Sequence, residues 1–478
     1  MHRFFLLATA AVSSLVAAAP AAPGVEVRDA HFNPLEHLGG NSPFFAGPNV
    51  FGIDPEPPAN CVVDQAAFTS RHGSRYPDPG AWDQWNALRN KIQAANFTVT
   101  AGGLNFLHTW KPVVRTPSSN NQKLSITGWK ELHQMGTQYR FRYDPSFFDD
   151  NGMEFHLWAN QYPASPRVID SARLFAQGYL GPNATAVGHV HPVASRDPRS
   201  IANSLAASDL CLKYVDNGGG EAFNTFAATY LPQMTARLNS KIRGGFNFTT
   251  ADVYIMPYLC GFETQITGKR SPWCGLFAPH EFEAYEYAQD LRYYFGHGPG
   301  NRLAGKVMLP FLSAVIDRFV DGPDATYTNS DGSTFKPNKL IATFTNDGNV
   351  NQIVAASGIF DDQAPLPGDA IPRNRIFRAT RYTSMRGTIT FERLNCGKRG
   401  LFVRAKLNDA VYPIAKCQNG PDRSCKLSDY QALLRKRLEE AGPFQTFCGV
   451  VNSTIPVGLE KTTFLKDITL PFEFDVKP

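Results

Sequence analysis

The sequence predicts an α/β fold, in which a doubly wound mixed sheet has a second, smaller helical domain inserted into it. Short apolar runs typical of buried strands lie towards both ends of the chain, at residues 61–69, 155–159 and 339–345. Between about residues 200 and 320, apolar residues instead recur every three or four positions, which indicates helices. Strands mixed with helices at both ends, and helices alone in the middle, are typical of a sheet domain with a helical insertion.

Local signals predict the individual elements in chain order. A helix should follow Ser165-Pro166, because serine favours the N-cap and proline the first helical position. The middle of the chain predicts three helices, at residues 222–242, 282–295 and 307–320. After the strand at 339–345, residues 352–356 have helical spacing. Residues 388–394 and 401–407 alternate in polarity and predict a hairpin.

The first residues are typical of a cleaved signal peptide. A short basic start, Met1 to Arg3, precedes an apolar run from Phe4 to Val16 that is too short to span a bilayer. We therefore predict a signal peptide over 1–18, an extended leader over 19–50, and a secreted, extracellular protein. The α/β catalytic domain is predicted over 51–200 and 300–478 and the helical domain over 201–299, with part of 85–155 left open between them.

Composition excludes several classes of protein. Of the 478 residues, 43% are hydrophobic and 19% charged, which is typical of a chain with a core and not of a disordered one. The formal net charge of +5 is not concentrated in a long Lys/Arg run, so we expect no nucleic-acid partner. After the first segment, no stretch approaches ~18 uninterrupted apolar residues, so we expect no membrane partner.

Eight cysteines, an even number, predict disulfides if the protein is secreted. Two pairs are close in sequence, Cys260 with Cys274 and Cys417 with Cys425. The other four cysteines remain for long-range bridges: Cys61, Cys211, Cys396 and Cys448. Four glycosylation sequons fit the same compartment, at Asn96, Asn183, Asn247 and Asn452.

Polar clusters follow three of the apolar runs, at Arg71-His72, Arg167 and Asn346-Asp347. Ligands of α/β sheets bind beyond the carboxyl ends of the strands, so these clusters predict one shared site. Guanidinium groups match the oxygens of phosphate, and an unprotonated imidazole between two arginines can attack phosphorus. Gly73 lets the backbone after His72 turn sharply.

The segment Arg71-His72-Gly73-Ser74-Arg75-Tyr76-Pro77 resembles the signature Arg-His-Gly-x-Arg-x-Pro of the histidine acid phosphatases, which include secreted fungal acid phosphatases and phytases. The similarity runs from about residue 50 to the end. Other segments that resemble the family are Ser165–Ala172, Ser271–Phe277, Tyr285–Tyr287, Gly296–Gly300 and Leu407–Asp409, together with Cys417 and Cys425. The resemblance implies a phosphoglycerate-mutase-like sheet and a phosphomonoester hydrolase that uses a small-molecule substrate.

The resemblance also implies a role for each site residue. His72 would be the nucleophile that forms a phosphohistidine, and Asp347 the general acid that protonates the leaving oxygen. The substrate phosphate would be bound by Arg71, Arg75, Arg167 and Asn346. No metal and no cofactor is implied, because arginines neutralise the phosphate. The implied long-range disulfides are Cys61–Cys396 and Cys211–Cys448, beside Cys260–Cys274 and Cys417–Cys425.

One position departs from the family pattern. The family has His-Asp where this chain has Asn346-Asp347, and an amide can donate a hydrogen bond but carries no charge. This departure keeps open a second interpretation, a non-catalytic homologue that only binds phosphate. The nucleophile, the arginines and the acid are all present, so we favour an enzyme.

Two further alternatives come from other segments. Cys417 and Arg423 match the Cys-x5-Arg loop of cysteine-dependent phosphatases, which needs a free thiolate. A phytase that hydrolyses inositol hexakisphosphate is the alternative within the family. The loop Asp78–Gln84 contains two acids and no lysine, which favours a broad-specificity acid phosphatase over a phytase.

Overall fold

One mixed sheet provides the frame for the predicted site. The computed structural model describes residues 32–143, 147–148, 153–162, 165–450 and 461–478. In these ranges the strands are β1 (Val62–Arg71), β2 (Phe97–Val99), β3 (Phe155–Asn160), β4 (Gly188–Val193), β5 (Ile242–Gly244), β6 (Tyr327–Thr328), β7 (Thr334–Phe335), β8 (Leu340–Thr345), β9 (Thr388–Asn395), β10 (Leu401–Leu407), β11 (Ala410–Tyr412) and β12 (Cys425–Lys426). Eight of the described strands form one sheet in the order β11-β10-β9-β1-β8-β3-β4, with β12 paired to β10.

The centre of the sheet is parallel and one side is antiparallel. Strand β8 runs parallel to both β1 and β3, and β4 runs parallel to β3. Strands β9 and β10 are antiparallel to their neighbours and form the predicted hairpin. The predicted α/β fold with a mixed sheet is therefore confirmed.

Helices cover both faces of the sheet. The described helices are α1 (Pro79–Ala94), α2 (Pro117–Asn120), α3 (Ile126–Tyr143), α4 (Arg167–Leu180), α5 (Ala184–Val187), α6 (Gly220–Asn239), α7 (Thr250–Thr267), α8 (Pro279–Gly296), α9 (Ala304–Val307), α10 (Leu309–Asp321), α11 (Asp347–Ser357), α12 (Thr380–Thr383), α13 (Leu427–Ala441) and α14 (Phe444–Cys448). Phe68 packs in a core with α3 and α4, whereas its neighbour Ala67 lies close to Phe311 of α10. Successive side chains of a strand point to opposite faces, so this pattern is that of a doubly wound sheet.

The helical segment between β4 and β8 contains α6, α7 and α8. Helix α6 packs on α7 and α8, and strand β2 pairs with β5, which places residues 97–99 against this segment. The domain boundaries given above remain a prediction. The sequence patterns missed the long helices α1, α3, α7 and α13 and strand β4. They placed the start of α4 one residue early, because Pro166 and not Ser165 is its N-cap.

Residues 34–478 form one compact unit. Part of the predicted leader belongs to it: Leu38 and Ser42 are buried, and the amide of Met385 donates to the Ser42 carbonyl. The predicted signal peptide and the sequon at Asn452 lie outside the described residues. No helix in the described ranges is long and apolar enough to cross a membrane.

Four disulfides join distant and local parts of the chain. They are Cys61–Cys396, Cys211–Cys448, Cys260–Cys274 and Cys417–Cys425, the pairs that the family resemblance implies. The described part of the chain contains no free cysteine. Because Cys417 is bonded to Cys425, the Cys-x5-Arg segment has no thiolate, and the cysteine-phosphatase alternative is excluded.

A buried ion cluster stabilises the antiparallel side of the sheet. Glu392 of β9 is 1% exposed and accepts hydrogen bonds from Arg404 (2.6 Å) and Lys406 (3.2 Å) on β10 and from Tyr143 (2.7 Å). Burial alone would raise the pKa of Glu392, but the two cations outweigh it and lower the pKa to about 2. The native state therefore strongly prefers the ionised carboxylate.

Replacing Glu392→Gln should lower the free energy of unfolding by about 3 kcal/mol at pH 6, because it leaves two buried cations without their counter-ion. The pKa of Glu392 is lower in the native state than its ordinary value, so its ionisation stabilises the fold above pH 4.5. The difference between wild type and variant should shrink as pH falls towards 2. Urea unfolding at pH 6 and pH 3 measures this, and an equal loss at both would contradict it. The exposed Glu440→Gln serves as control.

Candidate active site

Neighbouring strand ends bring the predicted site residues together. Arg71, the last residue of β1, is in register with Thr345, the last residue of β8. His72 follows β1 directly, and Asn346 and Asp347 follow β8. Helix α4 begins at Arg167, after β3, the next strand in the sheet. The three polar clusters therefore meet at one carboxyl edge.

The guanidinium of Arg71 is buried, and its two terminal nitrogens hold this edge together. Its Nη2 lies 3.3 Å from Oδ2 of Asp347, and its Nη1 donates to the carbonyl oxygens of Thr383 (2.6 Å) and Gly40. Arg71 is 2% exposed, so its charge acts on its neighbours with little screening by water.

His72 is held as a neutral imidazole. Its Nδ1 lies 2.9 Å from the carbonyl oxygen of Gly73, so Nδ1 donates the proton there and Nε2 keeps its lone pair. Burial lowers the pKa of His72 well below 6.5, and the charges of Arg167, Arg71 and Arg75 lower it further. The ring can therefore act as a nucleophile even in mildly acidic solution.

The loop after His72 is fixed against the neighbouring helices. The amide of Gly73 donates to Oγ of Ser171 on α4 (3.2 Å), and the amide and hydroxyl of Ser74 donate to Glu131 on α3 (2.7 and 2.8 Å). Helix α3 approaches so closely that a Cβ at Gly128 would lie 2.0 Å from the Ser74 carbonyl oxygen. The loop is thus set by packing before any ligand binds.

Two further arginines face a shared carboxylate. Asp78 lies 2.8 Å from Nη2 of Arg75 and 3.2 Å from Nη1 of Arg167, which also donates to Oγ of Ser165 (2.7 Å). Burial and the nearby Arg75 lower the pKa of Arg167 to about 10, so this guanidinium stays charged in acidic and neutral solution. Among the described residues, the buried Nε atoms of Arg71, Arg75 and Arg167 have no hydrogen-bond acceptor. The site therefore has spare donors for an anion.

Asp347 begins α11 and is 31% exposed at its side chain. Its Oδ2 accepts the hydroxyl of Tyr293 (2.7 Å) and faces Arg71. Burial would raise the pKa of Asp347, but the charge of Arg71 and the hydrogen bond from Tyr293 outweigh it and hold this pKa well below its usual range. In the free protein, Asp347 is an ionised carboxylate.

Asn346 is the N-cap of α11 and lies next to Asp347, half-buried. Its side chain makes no capping hydrogen bond, whereas its carbonyl oxygen accepts the amide of Val350. The amide group is therefore not needed to begin the helix.

Sequence reasoning missed three contributors to this site. Tyr293 lies in a stretch whose helical spacing says nothing about a polar role. The carbonyl of Gly40 comes from the predicted leader, and a backbone atom leaves no signal in the residue types. Asp78 was noted only as an acid in the loop, and its contacts with Arg75 and Arg167 depend on where α4 begins.

Comparison with known proteins decides the family. The family model described as the histidine phosphatase superfamily, branch 2, matches residues 62–408. The chain belongs to this superfamily. As a member of the superfamily it is a phosphomonoester hydrolase, which agrees with the resemblance carried by the segment from Arg71 to Pro77.

Curated relatives and a crystal structure of this superfamily match almost the whole chain. The acid phosphatase PHO1 of Komagataella pastoris is 31% identical over 451 residues, covering 92% of each chain. The phytase PHO112 of Candida albicans is 29% identical over 446 residues, covering 92% of this chain and 91% of the phytase. The crystal structure of the phytase from D. castellii superposes with a TM-score of 0.80 at 27% identity, covering 92% of each chain.

Proposed function

We propose that this histidine phosphatase is an acid phosphatase that transfers the phosphoryl group of small-molecule monoesters first to His72 and then to water. The observation that carries the proposal is the neutral, buried imidazole of His72 beside Arg71, with Arg75, Arg167 and Asp347 at the same edge. A nucleophile, three cations and a carboxyl group are the parts that phosphoryl transfer through a phosphohistidine requires.

In the first step the substrate phosphate binds the guanidiniums of Arg71, Arg75 and Arg167, which neutralise its charge and stabilise the transition state. The lone pair of His72 Nε2 forms a bond to phosphorus as the bond to the ester oxygen breaks. Asp347 gives its proton to that oxygen, which leaves as an alcohol. Asn346 donates a hydrogen bond to the phosphate in this proposal.

The charge balance of the site explains why acidic solution favours this step. Arg71 keeps Asp347 ionised in the free protein. A bound phosphate dianion offsets the positive charge of Arg71 and so raises the pKa of Asp347, which then takes up the proton that the leaving oxygen needs. In the second step Asp347 accepts a proton from water as the water attacks the phosphohistidine, and phosphate is released.

Three observations support secretion, which is part of the same proposal. The first eighteen residues have the pattern of a signal peptide, four disulfides stabilise the fold, and Asn96, Asn183 and Asn247 of the sequons are exposed. Each suits an extracellular glycoprotein.

Because some relatives are named phytases, hydrolysis of inositol hexakisphosphate is a second candidate function. Asp78 argues against it, because its carboxylate contacts both Arg75 and Arg167 and is 44% exposed. A substrate with several phosphates near the ester would bring further negative charge towards Asp78. We therefore favour esters with few other charges.

Rapid acid quench with labelled p-nitrophenyl phosphate should trap an acid-labile phosphoryl group on His72. His72→Ala should abolish trapping and lower kcat by at least ~10³-fold, because it removes the attacking nitrogen. His189→Ala changes a histidine of β4 that is hydrogen-bonded to Asp475, and this variant should behave like wild type. Adding EDTA should have no effect on activity. Turnover without any trapped phosphohistidine would refute the mechanism.

Asp78→Asn should raise kcat/KM for inositol hexakisphosphate about five-fold relative to p-nitrophenyl phosphate at pH 5, since one repulsive contact is worth about 1 kcal/mol. Asp83→Asn removes the same charge from an exposed position of α1 and should leave the ratio unchanged. If wild type already prefers the hexakisphosphate, the phytase candidate is favoured instead.

Asn346→His should tighten inhibition by inorganic phosphate several-fold at pH 4–5, because a charge-assisted hydrogen bond adds about 1 kcal/mol over a neutral one. The new imidazole loses its proton near its reference pKa of about 6.5, so the added affinity should disappear towards pH 7. Inhibition constants measured from pH 4 to 7 test this. Parallel curves for wild type and variant would show that residue 346 does not contact phosphate.

A further inference from the structure

We propose that Tyr293 is a positioning residue that restricts the transferable proton of Asp347 to its Oδ1 atom. The inference rests on the proposed role of Asp347 as general acid and adds a residue from the helical segment to the reaction. It comes from the arrangement of hydrogen-bond donors around one carboxylate.

Both polar contacts that the described residues make with the Asp347 carboxylate fall on one oxygen. Oδ2 accepts the Tyr293 hydroxyl at 2.7 Å and lies 3.3 Å from Nη2 of Arg71. A carboxyl oxygen that faces two donors is a poor place for a proton, because an O–H group there would point at other hydrogens. The proton that Asp347 takes up is therefore carried on Oδ1.

Tyr293 is held where it can do this throughout the acidic range. The residue is 6% exposed, and the guanidinium of Arg292 lies 5.5 Å from its ring. Burial and the nearby charge of Asp347 raise the pKa of Tyr293 above its ordinary value, so the hydroxyl keeps its proton and remains a donor. Its removal changes no formal charge in the site.

Gly40 contacts both of the groups that donate to Asp347, Arg71 and Tyr293. Its carbonyl accepts Nη1 of Arg71, and a Cβ at this position would lie 2.0 Å from the Tyr293 hydroxyl oxygen. Glycine is the residue that allows the chain to pass this close. The Gly40 backbone thus packs directly against the Tyr293 hydroxyl.

Other charged and titratable groups around Asp347 act on its charge and not on the choice of oxygen. Besides Arg71, which also contacts Oδ2, they are His72 after β1, Arg75, Arg167 of α4, Arg292 of α8, and His297, which is paired with Asp216 at 3.0 Å. In the described part of the chain, Tyr293 is the only neutral donor to the carboxylate. Removing the Tyr293 hydroxyl therefore tests the position of the Asp347 proton without changing the net charge of the site.

The test is the rate of phosphoenzyme formation by Tyr293→Phe, measured by rapid quench with an alkyl phosphate and with p-nitrophenyl phosphate. The alkyl ester needs the proton and should react ~10-fold or more slowly, whereas the nitrophenyl ester leaves without help and should lose less than ~3-fold. The pH at which the rate falls on the alkaline side of the profile should be higher in the variant, because losing a donor to the carboxylate raises the pKa of Asp347.

Tyr294→Phe is the matched control on the same helix, since the Tyr294 ring packs against Phe377 and is not part of the site. It should leave both rates and the pH profile unchanged. An equal loss for the two esters in Tyr293→Phe with no shift on the alkaline side of the pH profile would show a merely structural role and overturn the inference, as would no change at all. A wild type that forms no phosphohistidine would instead refute the proposed function, so the two failures are distinguishable.

Discussion

The guanidinium of Arg71 is buried and bonds to three separate parts of the chain. It faces Asp347 at the start of α11 and donates to the carbonyl oxygens of Gly40 and Thr383. Each of these partners is polar and would be costly to bury without a donor. One cation at the end of β1 therefore holds the N-terminal segment, α11 and α12 at the same edge of the sheet.

Burial and the arginine charges set the protonation states of the two groups that react in the proposed mechanism. Burial and the neighbouring arginines lower the pKa of His72, which makes it a ready nucleophile. Arg71 also lowers the pKa of Asp347, which leaves the acid without its proton until an anion binds. In the proposed mechanism, His72 is ready to attack before substrate binds, whereas Asp347 can protonate a leaving group only afterwards, so phosphate binding and proton uptake are linked.

The helical segment also places side chains next to the site residues. Tyr293 of α8 reaches Asp347, and Phe262 of α7 lies 5.3 Å from the guanidinium of Arg75. On the sheet side, Asp78 balances Arg75 and Arg167 in the absence of an anion. The free site therefore sets the carboxylates of Asp78 and Asp347 against three guanidiniums, and in the proposed mechanism substrate has to compete with Asp78.

The sequence was sufficient to predict strands β1 and β8, the clustering of His72, Arg167 and Asp347, and the family, although it placed the end of β1 at Thr69 and not at Arg71. These inferences rest on short-range patterns: apolar runs, turn residues and a seven-residue signature. The contacts of Tyr293, Asp78 and the Gly40 carbonyl could not be predicted in this way. The Tyr293–Asp347 and Asp78–Arg167 contacts join residues 54 and 89 positions apart, and the Gly40 contact involves a backbone atom. Their distances exist only once the helical segment and the N-terminal segment have packed against the carboxyl edge of the sheet.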